Sequence, residues 1–254
     1  MIASNSSRGV ARLGVVVPVS NTNLEPDMVM LRPDGVSLHF ARAGGYDIDE
    51  VPDSEQMRKF ADATLDEVVD GLKAALADMI VYGCTSATLS HGPAYDRAFV
   101  ERIEARAGVP ATTAASAVVE AARDLGVTKV GFCSPYTEQL NAEAAAFLGA
   151  CGIEVVSDAY VGEDLGNYGQ SALTPDDVLT LACRADSAGA EAIVLSCTDM
   201  RAVEAIDALE ARLQKPVITS NQALVHTARK HLGLEGRVPG ALGATATDKV
   251  RAAE

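Results

Sequence analysis

A nine-residue segment occurs twice in the chain, and it constrains the fold more than any other feature of the sequence. Residues 77–85 read ADMIVYGCT and residues 190–198 read AEAIVLSCT, 113 positions further along. Each copy is a short apolar run of the kind that forms a buried strand, and each ends in Cys-Thr. Because internal repeats reflect repeated structural units, we expect two related halves, each with a Cys-Thr at the carboxyl end of a strand.

The rest of the chain alternates short apolar runs with amphipathic stretches, a pattern that is typical of parallel α/β folds. Residues 12–19 (RLGVVVPV) and 129–133 (KVGFC) read as buried strands, while residues 54–77 and 200–213 read as helices. The predicted fold class is therefore α/β. We expect two pseudo-symmetric lobes, each a parallel β-sheet flanked by helices, with the active site in the interlobe cleft.

The length of the chain suits two lobes better than one large core. It has 254 residues, and a single core typically serves roughly 100–150 residues. We predict a first lobe from residues 10–112 plus 220–254 and a second lobe from residues 113–219, each with one of the Cys-Thr segments. The residues from Leu234 onward are rich in glycine and alanine and read as a loosely specified tail.

The charge balance argues against several classes of partner. Lysine and arginine total 21 against 35 aspartates and glutamates, a formal net charge of −14, which would repel a nucleic acid. Aromatic residues make up 4% and tryptophan is absent, which argues against a stacking platform for bases. The sequence has no apolar run of ~18 residues and no apolar signal core at its N-terminus. We expect a cytoplasmic protein with neither a membrane nor a nucleic-acid partner.

Cysteine and histidine spacing predicts no metal site. The five cysteines include no CxxC, and the four histidines show no ligand spacing against them. An odd number of cysteines without a secretion signal also argues against a disulfide framework. The pair Gly44-Gly45 is not followed by Lys-Ser/Thr, so it does not read as a phosphate-binding loop.

Cys84 and Cys197 are the cysteines whose positions suggest chemistry. In open parallel sheets ligands bind outside the carboxyl ends of the strands, where both Cys-Thr pairs are predicted to lie. A helix that begins after each pair would lower the pKa of the thiol. Thiols that face each other across one cleft can handle a proton or a bond on opposite sides of one carbon. The remaining cysteines, Cys133, Cys151 and Cys183, read as small apolar residues.

The two Cys-Thr segments resemble the cysteine motifs of the aspartate/glutamate racemase superfamily, whose members bind small carboxylates between two pseudo-symmetric lobes. Within it, residues 17–27 (VPVSNTNLEPD) are similar to the opening motif of maleate cis-trans isomerases. Residues 35–42 (GVSLHFAR) and 134–136 (SPY) also lie where those isomerases have similar sequence. The resemblance spans residues 10–232.

The resemblance implies a cis-trans isomerisation of a small dicarboxylate, maleate to fumarate, without cofactor or metal. Cys84 matches the nucleophile, which adds as a thiolate to the alkene carbon. Cys197 matches the second cysteine, the other acid/base, which protonates or shields the opposite side. Rotation about the resulting single bond and elimination of the thiolate then give fumarate. The side chains that match those holding the substrate carboxylates are Asn21, Tyr136 and Asn167.

The predicted binding site is completed by three adjoining residues, Ser20, Thr85 and Thr198. Each contact has a structural alternative: Asn21 and the two threonines could cap helices, and Tyr136 could be a half-buried surface aromatic. In the glycine-rich loop, Asn167 could serve the turn alone, with Tyr168 facing the cleft instead.

Other functions stay open at this point. An amino-acid (aspartate/glutamate) or hydantoin-type racemase would use the same two thiols as acid and base. A non-catalytic carboxylate-binding or pathway accessory protein would reuse the cleft. Arylmalonate decarboxylases of the same superfamily keep only the later cysteine, so the presence of both Cys84 and Cys197 argues against that activity. We expect a homo-oligomer with a small carboxylate substrate.

Overall fold

The computed structural model describes residues 9–44, 53–162 and 165–244. Within them the strands are β1 (Ala11–Pro18), β2 (Val36–Ala43), β3 (Met79–Tyr82), β4 (Ala111–Thr113), β5 (Lys129–Ser134), β6 (Glu154–Tyr160), β7 (Ala192–Leu195) and β8 (Val217–Thr219). They form two four-stranded parallel sheets, ordered β2-β1-β3-β4 and β6-β5-β7-β8. The second sheet repeats the order of the first, which confirms the predicted α/β fold with two related lobes.

Helices flank both sheets. They are α1 (Leu24–Leu31), α2 (Ser54–Ala63), α3 (Leu65–Ala74), α4 (Ser86–Leu89), α5 (Gly92–Ala107), α6 (Ala114–Leu125), α7 (Glu138–Ala150), α8 (Gly166–Gly169), α9 (Pro175–Ala185), α10 (Ile206–Leu213) and α11 (Ser220–His231). None of the helices in the described ranges is long and apolar enough to cross a membrane.

One central core and two outer cores hold the lobes. In the central core, one face of each sheet packs with α1, α6 and α11. The outer cores lie between the first sheet and helices α3 and α5, and between the second sheet and helices α9 and α10. Each large apolar side chain buried in this way contributes about 1.5–3 kcal/mol. Because the central core is shared by both sheets, the strand ends of the two lobes keep a fixed separation.

Equivalent threonines begin two helices of the central core, α6 and α11. Thr113 Oγ1 accepts the N–H of Ser116 at 3.0 Å, and Thr219 Oγ1 accepts the N–H of Gln222 at 3.1 Å. Helix α11 packs against both α6 and α1. The lobe boundaries given above stay a prediction, and residues 245–254 of the first lobe lie outside the described residues.

Two of the predicted segments differ from the structure. The helix predicted over residues 54–77 is two helices, because Thr64 ends α2, and its hydroxyl accepts the N–H of Gly44 at 2.8 Å. The prediction of a loose tail from Leu234 onward is wrong for residues 234–244. This segment packs against the central core. Three of its side chains are buried there: Leu234, Val238 and Leu242.

The helix predicted over residues 200–213 is also shorter than expected. A 3-10 turn forms at Val203–Ala205, and the α-helix begins only at Ile206. The preceding residues are instead hydrogen-bonded to the first lobe through Thr198 and Asp199. This cross-lobe bonding removes the helix that was expected directly after the second Cys-Thr.

Candidate active site

A cavity of about 70 Å³ lies between the lobes at the carboxyl ends of the strands. Since one water needs roughly 10–15 Å³ of such space, the cavity suits a small molecule. Segments that follow β1, β3, β5 and β7 line it, which is where parallel sheets bind ligands. The lining residues with polar or sulfur-bearing side chains include Ser20, Asn21, Cys84, Thr85, Tyr136, Gln170, Cys197, Thr198 and Asp199.

Cys84 lies in the cavity wall just after the end of β3. Its neighbour Gly83 allows β3 to pack closely against β1 and α1. A Cβ atom at Gly83 would lie 2.1 Å from Leu24 Cδ2 and 2.9 Å from the carbonyl oxygen of Val16. A larger residue would therefore push β3 away from β1 and α1. The Cys84 side chain is half-buried, and its sulfur lies 3.8 Å from Ser86 Oγ.

Cys197 lies at the equivalent position after β7 and lines the same cavity. It is 6% exposed; its sulfur donates to Gln170 Oε1 at 3.6 Å and accepts the N–H of Asp199 at 3.4 Å. The next residue, Thr198, donates from Oγ1 to the carbonyl oxygen of Gly83 at 2.8 Å. The two Cys-Thr segments are thus hydrogen-bonded to each other, and thiols from different lobes share one cavity.

Asn21 lines the cavity and also holds the start of a helix. Its Oδ1 accepts the N–H of Leu24, the first residue of α1, at 2.8 Å. Its Nδ2 donates to Thr198 Oγ1 at 3.0 Å, so that it links the two lobes. Because an amide nitrogen carries two N–H donors, one donor remains for a ligand. The capping alternative is therefore compatible with the predicted binding role of Asn21, which stays a prediction.

Tyr136 lines the cavity from the second lobe. It is 3% exposed, so the alternative of a half-buried surface aromatic is wrong. Its hydroxyl lies 3.5 Å from Ser196 Oγ, and its N–H donates to Ser134 Oγ at 3.1 Å. Burial raises the pKa of the Tyr136 phenol well above its usual range, so the side chain is a neutral hydrogen-bond donor.

The other predicted binding residues have different surroundings. Ser20 lines the cavity, as does Thr85. The Thr85 hydroxyl donates to Ser220 Oγ at 3.0 Å and does not cap α4. Asn167 belongs to α8, and its side chain lies outside the described part of the structure. Tyr168 is 50% exposed and does not belong to the described lining of the cavity.

The sequence profile of arylmalonate decarboxylases matches residues 13–243, which include both Cys-Thr segments. The chain belongs to the arylmalonate decarboxylase family. This membership confirms the predicted resemblance to the aspartate/glutamate racemase superfamily and its isomerase branch, together with the relatives below.

Several proteins that are similar to this chain are maleate isomerases. The maleate isomerase of Alcaligenes faecalis is 29% identical, over 91% of this chain and 94% of that protein. The crystal structure of a Pseudomonas putida S16 maleate isomerase variant with maleate has a TM-score of 0.83 and 26% identity, over 93% and 98% of the two chains. A Nocardia farcinica maleate cis-trans isomerase variant with a covalently bound succinylcysteine intermediate has the same fold, with a TM-score of 0.84, 23% identity and coverages of 91% and 97%. The prediction of an isomerase is confirmed.

In this family member the thiols are not activated as the sequence predicts. Burial raises the pKa of Cys84, although hydrogen bonds from Ala87 and Ser86 act in the opposite direction. Burial and the charge of Asp199 raise the pKa of Cys197. The prediction that helix N-termini lower both pKa values is wrong, because the desolvation of a buried thiolate outweighs its N–H donors. After Cys197, moreover, no α-helix begins directly.

Gln170 and Asp199 are among the residues of the cavity wall that sequence analysis missed. Asp199 carries a signal, since it directly follows the repeated Cys-Thr at a strand end, whereas Gln170 carries none. The Asp199 carboxylate accepts the N–H groups of Thr22 at 2.8 Å and Asn23 at 3.0 Å, and burial raises its pKa to about 6. Among the described residues no three His, Cys, Asp or Glu side chains are grouped as metal ligands.

A second buried carboxylate, Asp27 of α1, is linked by hydrogen bonds to the segment that lines the cavity after Cys197. It accepts a hydrogen bond from Asn221 Nδ2 at 2.7 Å, and the same nitrogen donates to the carbonyl oxygen of Thr198 at 3.0 Å. Burial raises the pKa of Asp27 to about 6. Asp27 therefore orients the amide that fixes the segment following Cys197.

Proposed function

We propose that the protein is a cofactor-independent cis-trans isomerase of a small dicarboxylate, with maleate as substrate and fumarate as product. The observation that carries the proposal is the pair of thiols, Cys84 and Cys197, that equivalent strand ends contribute to one cavity. Binding alone needs no such pair. Addition to an alkene needs a nucleophile at one carbon and a proton donor at the next.

The two thiols suffice for a balanced reaction. The Cys84 thiolate adds to one alkene carbon, and the π electrons move toward the adjacent carboxylate. Cys197 transfers its proton to the neighbouring carbon, which leaves a succinyl thioether on Cys84 and a thiolate on Cys197. The former double bond is now single and rotates. The Cys197 thiolate then removes a proton from that carbon, the double bond forms again, and the C–S bond breaks to return the Cys84 thiolate.

Neutral donors would hold the substrate carboxylates. The formal charge of −14 gives a dianion no long-range attraction, so binding depends on local groups. The second N–H of Asn21 and the neutral hydroxyl of Tyr136 are available in the cavity wall, one from each lobe. Ser20 adds a hydroxyl, and Asn167 stays a predicted contact. Such donors also stabilise the negative charge that develops on the carboxylate during addition.

The relatives support maleate as the substrate. The Alcaligenes faecalis relative is a maleate isomerase, and the Pseudomonas putida structure contains maleate. The Nocardia farcinica enzyme carries a succinylcysteine, which is the species that thiolate addition to maleate followed by protonation would give. In this chain, Cys84 is proposed for that role because the residue is half-buried, whereas Cys197 is buried, and because its sulfur lies next to the Ser86 hydroxyl.

Proton NMR of maleate solutions tests the proposal, because maleate and fumarate give separate vinyl signals. The wild type and Cys151→Ser, a control at a half-buried cysteine outside the cavity, should both form fumarate. Cys84→Ser should lose at least about a thousandfold in rate, since removing a nucleophile abolishes the covalent path. Mass spectrometry of Cys197→Ser with maleate should find one substrate added at Cys84. No fumarate from the wild type at stoichiometric enzyme would count decisively against the proposal.

The same preparation separates the competing functions. A racemase would exchange the α-hydrogen of aspartate or glutamate for deuterium in heavy water and leave maleate unchanged. A decarboxylase would release carbon dioxide from an arylmalonate. A binding protein would gain thermal stability with a dicarboxylate equally in the wild type and in Cys84→Ser.

A further inference from the structure

Asp199 contacts both the sulfur of Cys197 and a loop of the first lobe. Its backbone N–H donates to Cys197 Sγ at 3.4 Å. Its carboxylate accepts the N–H groups of Thr22 at 2.8 Å and Asn23 at 3.0 Å, and the side chain is only 5% exposed in the cavity wall. Two backbone donors therefore hold the Asp199 carboxylate in the wall of the cavity that Cys197 also lines.

The surroundings of the two sulfurs differ in kind. Cys197 donates its S–H to Gln170 Oε1 at 3.6 Å, a hydrogen bond that exists only while the sulfur carries its proton. Cys84 lies beside Ser86 Oγ, whose hydroxyl can donate to a thiolate. Backbone N–H groups reach both sulfurs. The acceptor oxygen of Gln170 and the adjoining Asp199 therefore favour the protonated form of Cys197, whereas the Ser86 hydroxyl favours the thiolate of Cys84.

We propose that Asp199 is a positioning residue that keeps Cys197 protonated and thereby assigns the roles of the two thiols, proton donor to Cys197 and nucleophile to Cys84. The inference rests on the proposed isomerisation, which needs one thiolate and one thiol in the cavity at the same time. A negative charge beside a thiol opposes its ionisation, and a thiolate on Cys84 acts on Cys197 in the same direction.

The order of the pKa effects agrees with this geometry. For Cys197, burial raises the pKa most and the charge of Asp199 comes next. For Cys84, burial again comes first, but hydrogen bonds from Ala87 and Ser86 that lower the pKa outweigh the Asp199 charge. The charge of Asp199 thus ranks second among the effects on the pKa of Cys197, whereas for Cys84 it ranks behind two hydrogen bonds that lower the pKa.

Alkylation by iodoacetamide tests the assignment without any dicarboxylate, with Cys84 and Cys197 followed separately by peptide mass spectrometry. Below the pKa of a thiol, each unit by which the pKa falls raises the thiolate fraction tenfold, and weaker nucleophilicity reduces the gain in rate to about threefold. A neighbouring charge shifts a pKa by about 1–3 units. In Asp199→Asn, we expect alkylation of Cys197 at pH 8 to accelerate about 3- to 30-fold, and the Cys197/Cys84 rate ratio to rise.

The ratio is the deciding quantity, because a looser cavity would expose both sulfurs alike. Asp96→Asn is the matched control, a buried aspartate between α5 and α6 that does not line the described cavity, and it should leave the ratio unchanged. Asp199→Ser, a smaller neutral variant, covers the case in which Asp199→Asn does not fold. Gln170→Glu adds a negative charge at the Cys197 sulfur and should slow its alkylation.

An unchanged or lower ratio in the folded Asp199 variants would overturn the assignment. So would a faster alkylation of Cys197 in Gln170→Glu. Because the assay contains no maleate, its failure is distinguishable from failure of the proposed function. If the wild type does not isomerise maleate but the ratio rises in the Asp199 variants, only the proposed substrate is refuted. If the wild type isomerises maleate and the ratio is unchanged in those variants, only the proposed role of Asp199 is refuted.

Discussion

The free energy of unfolding of the wild type should fall as the pH rises, because Asp27 is buried. In Asp27→Asn this fall should be absent. Asp27 is 2% exposed and accepts a hydrogen bond from Asn221 Nδ2 at 2.7 Å. Burial raises its pKa from the usual 3.8 to about 6, although the Asn221 hydrogen bond acts in the opposite direction. The pKa is therefore higher in the folded protein than in the unfolded chain.

The sign of the effect follows from proton binding. Between pH 3.8 and about pH 6 the folded protein keeps a proton on Asp27 that the unfolded chain has released. Stability is thus fully present below pH 3.8 and is lost as the pH rises through about 6. A pKa difference of about two units, at about 1.36 kcal/mol per unit, corresponds to roughly 3 kcal/mol in the free energy of unfolding.

Guanidinium unfolding of the wild type and Asp27→Asn at pH 4 and pH 8 measures this directly. The constant cost of burying an extra amide NH₂ cancels when the effect of the mutation at pH 4 is subtracted from its effect at pH 8. We expect the variant to gain about 2–3 kcal/mol on the wild type over that interval. As a control, Asp70→Asn should change in the opposite direction, since a hydrogen bond from Arg106 lowers the pKa of Asp70. A zero or negative difference for Asp27→Asn would refute the reasoning that burial dominates.

Three further predictions concern the site. Gly83→Ala should lower activity and destabilise the protein by about 1–3 kcal/mol, because its Cβ would lie 2.1 Å from Leu24 Cδ2. Gly149→Ala, with no atom within 4 Å, should stabilise it by about 0.5–1 kcal/mol, and thermal unfolding compares the two. Tyr136→Phe should reduce kcat/KM for maleate about 10- to 100-fold in steady-state kinetics, since a hydrogen bond to a charged group contributes about 1.5–3 kcal/mol; an unchanged value would remove Tyr136 from the binding site. Because burial raises the pKa of Cys84, kcat/KM should climb up to about tenfold per pH unit from pH 6 to pH 8, and a plateau below pH 7 would contradict this.

The sheets and the meeting of the two thiols could be predicted because they follow from local patterns. The runs MIVY of β3 and AIVL of β7 read as buried strands from their own residues alone. Parallel strands all end at the same edge of a sheet, and that edge binds the ligand. Because such a run precedes both Cys84 and Cys197, the sequence predicts that both sulfurs lie at one cleft.

The groups around the thiols could not be predicted in this way. Asp199 lies 177 residues from Thr22 and 176 from Asn23, so their hydrogen bonds depend on how the lobes pack. Gln170 reaches Cys197 from a short 3-10 helix with no recognisable motif. The predicted direction of the thiol pKa shifts is wrong because it, too, depends on how the chain packs. Backbone N–H donors are local to a sequence, whereas the desolvation that outweighs them arises only from tertiary packing.

The hydrogen bonds between the lobes explain why so many polar side chains are buried at this cavity. Thr198 Oγ1 donates to the carbonyl oxygen of Gly83, directly before Cys84, and accepts from Asn21 Nδ2. These bonds fix the spacing of the two Cys-Thr segments and hold the Asn21 amide against Thr198. In the proposed reaction the substrate must rotate about one bond while the groups on either side stay still, since a small displacement of a reacting group costs much of the rate. A buried carboxylate such as Asp27, which destabilises the fold above about pH 6, is then retained because it holds that frame in place.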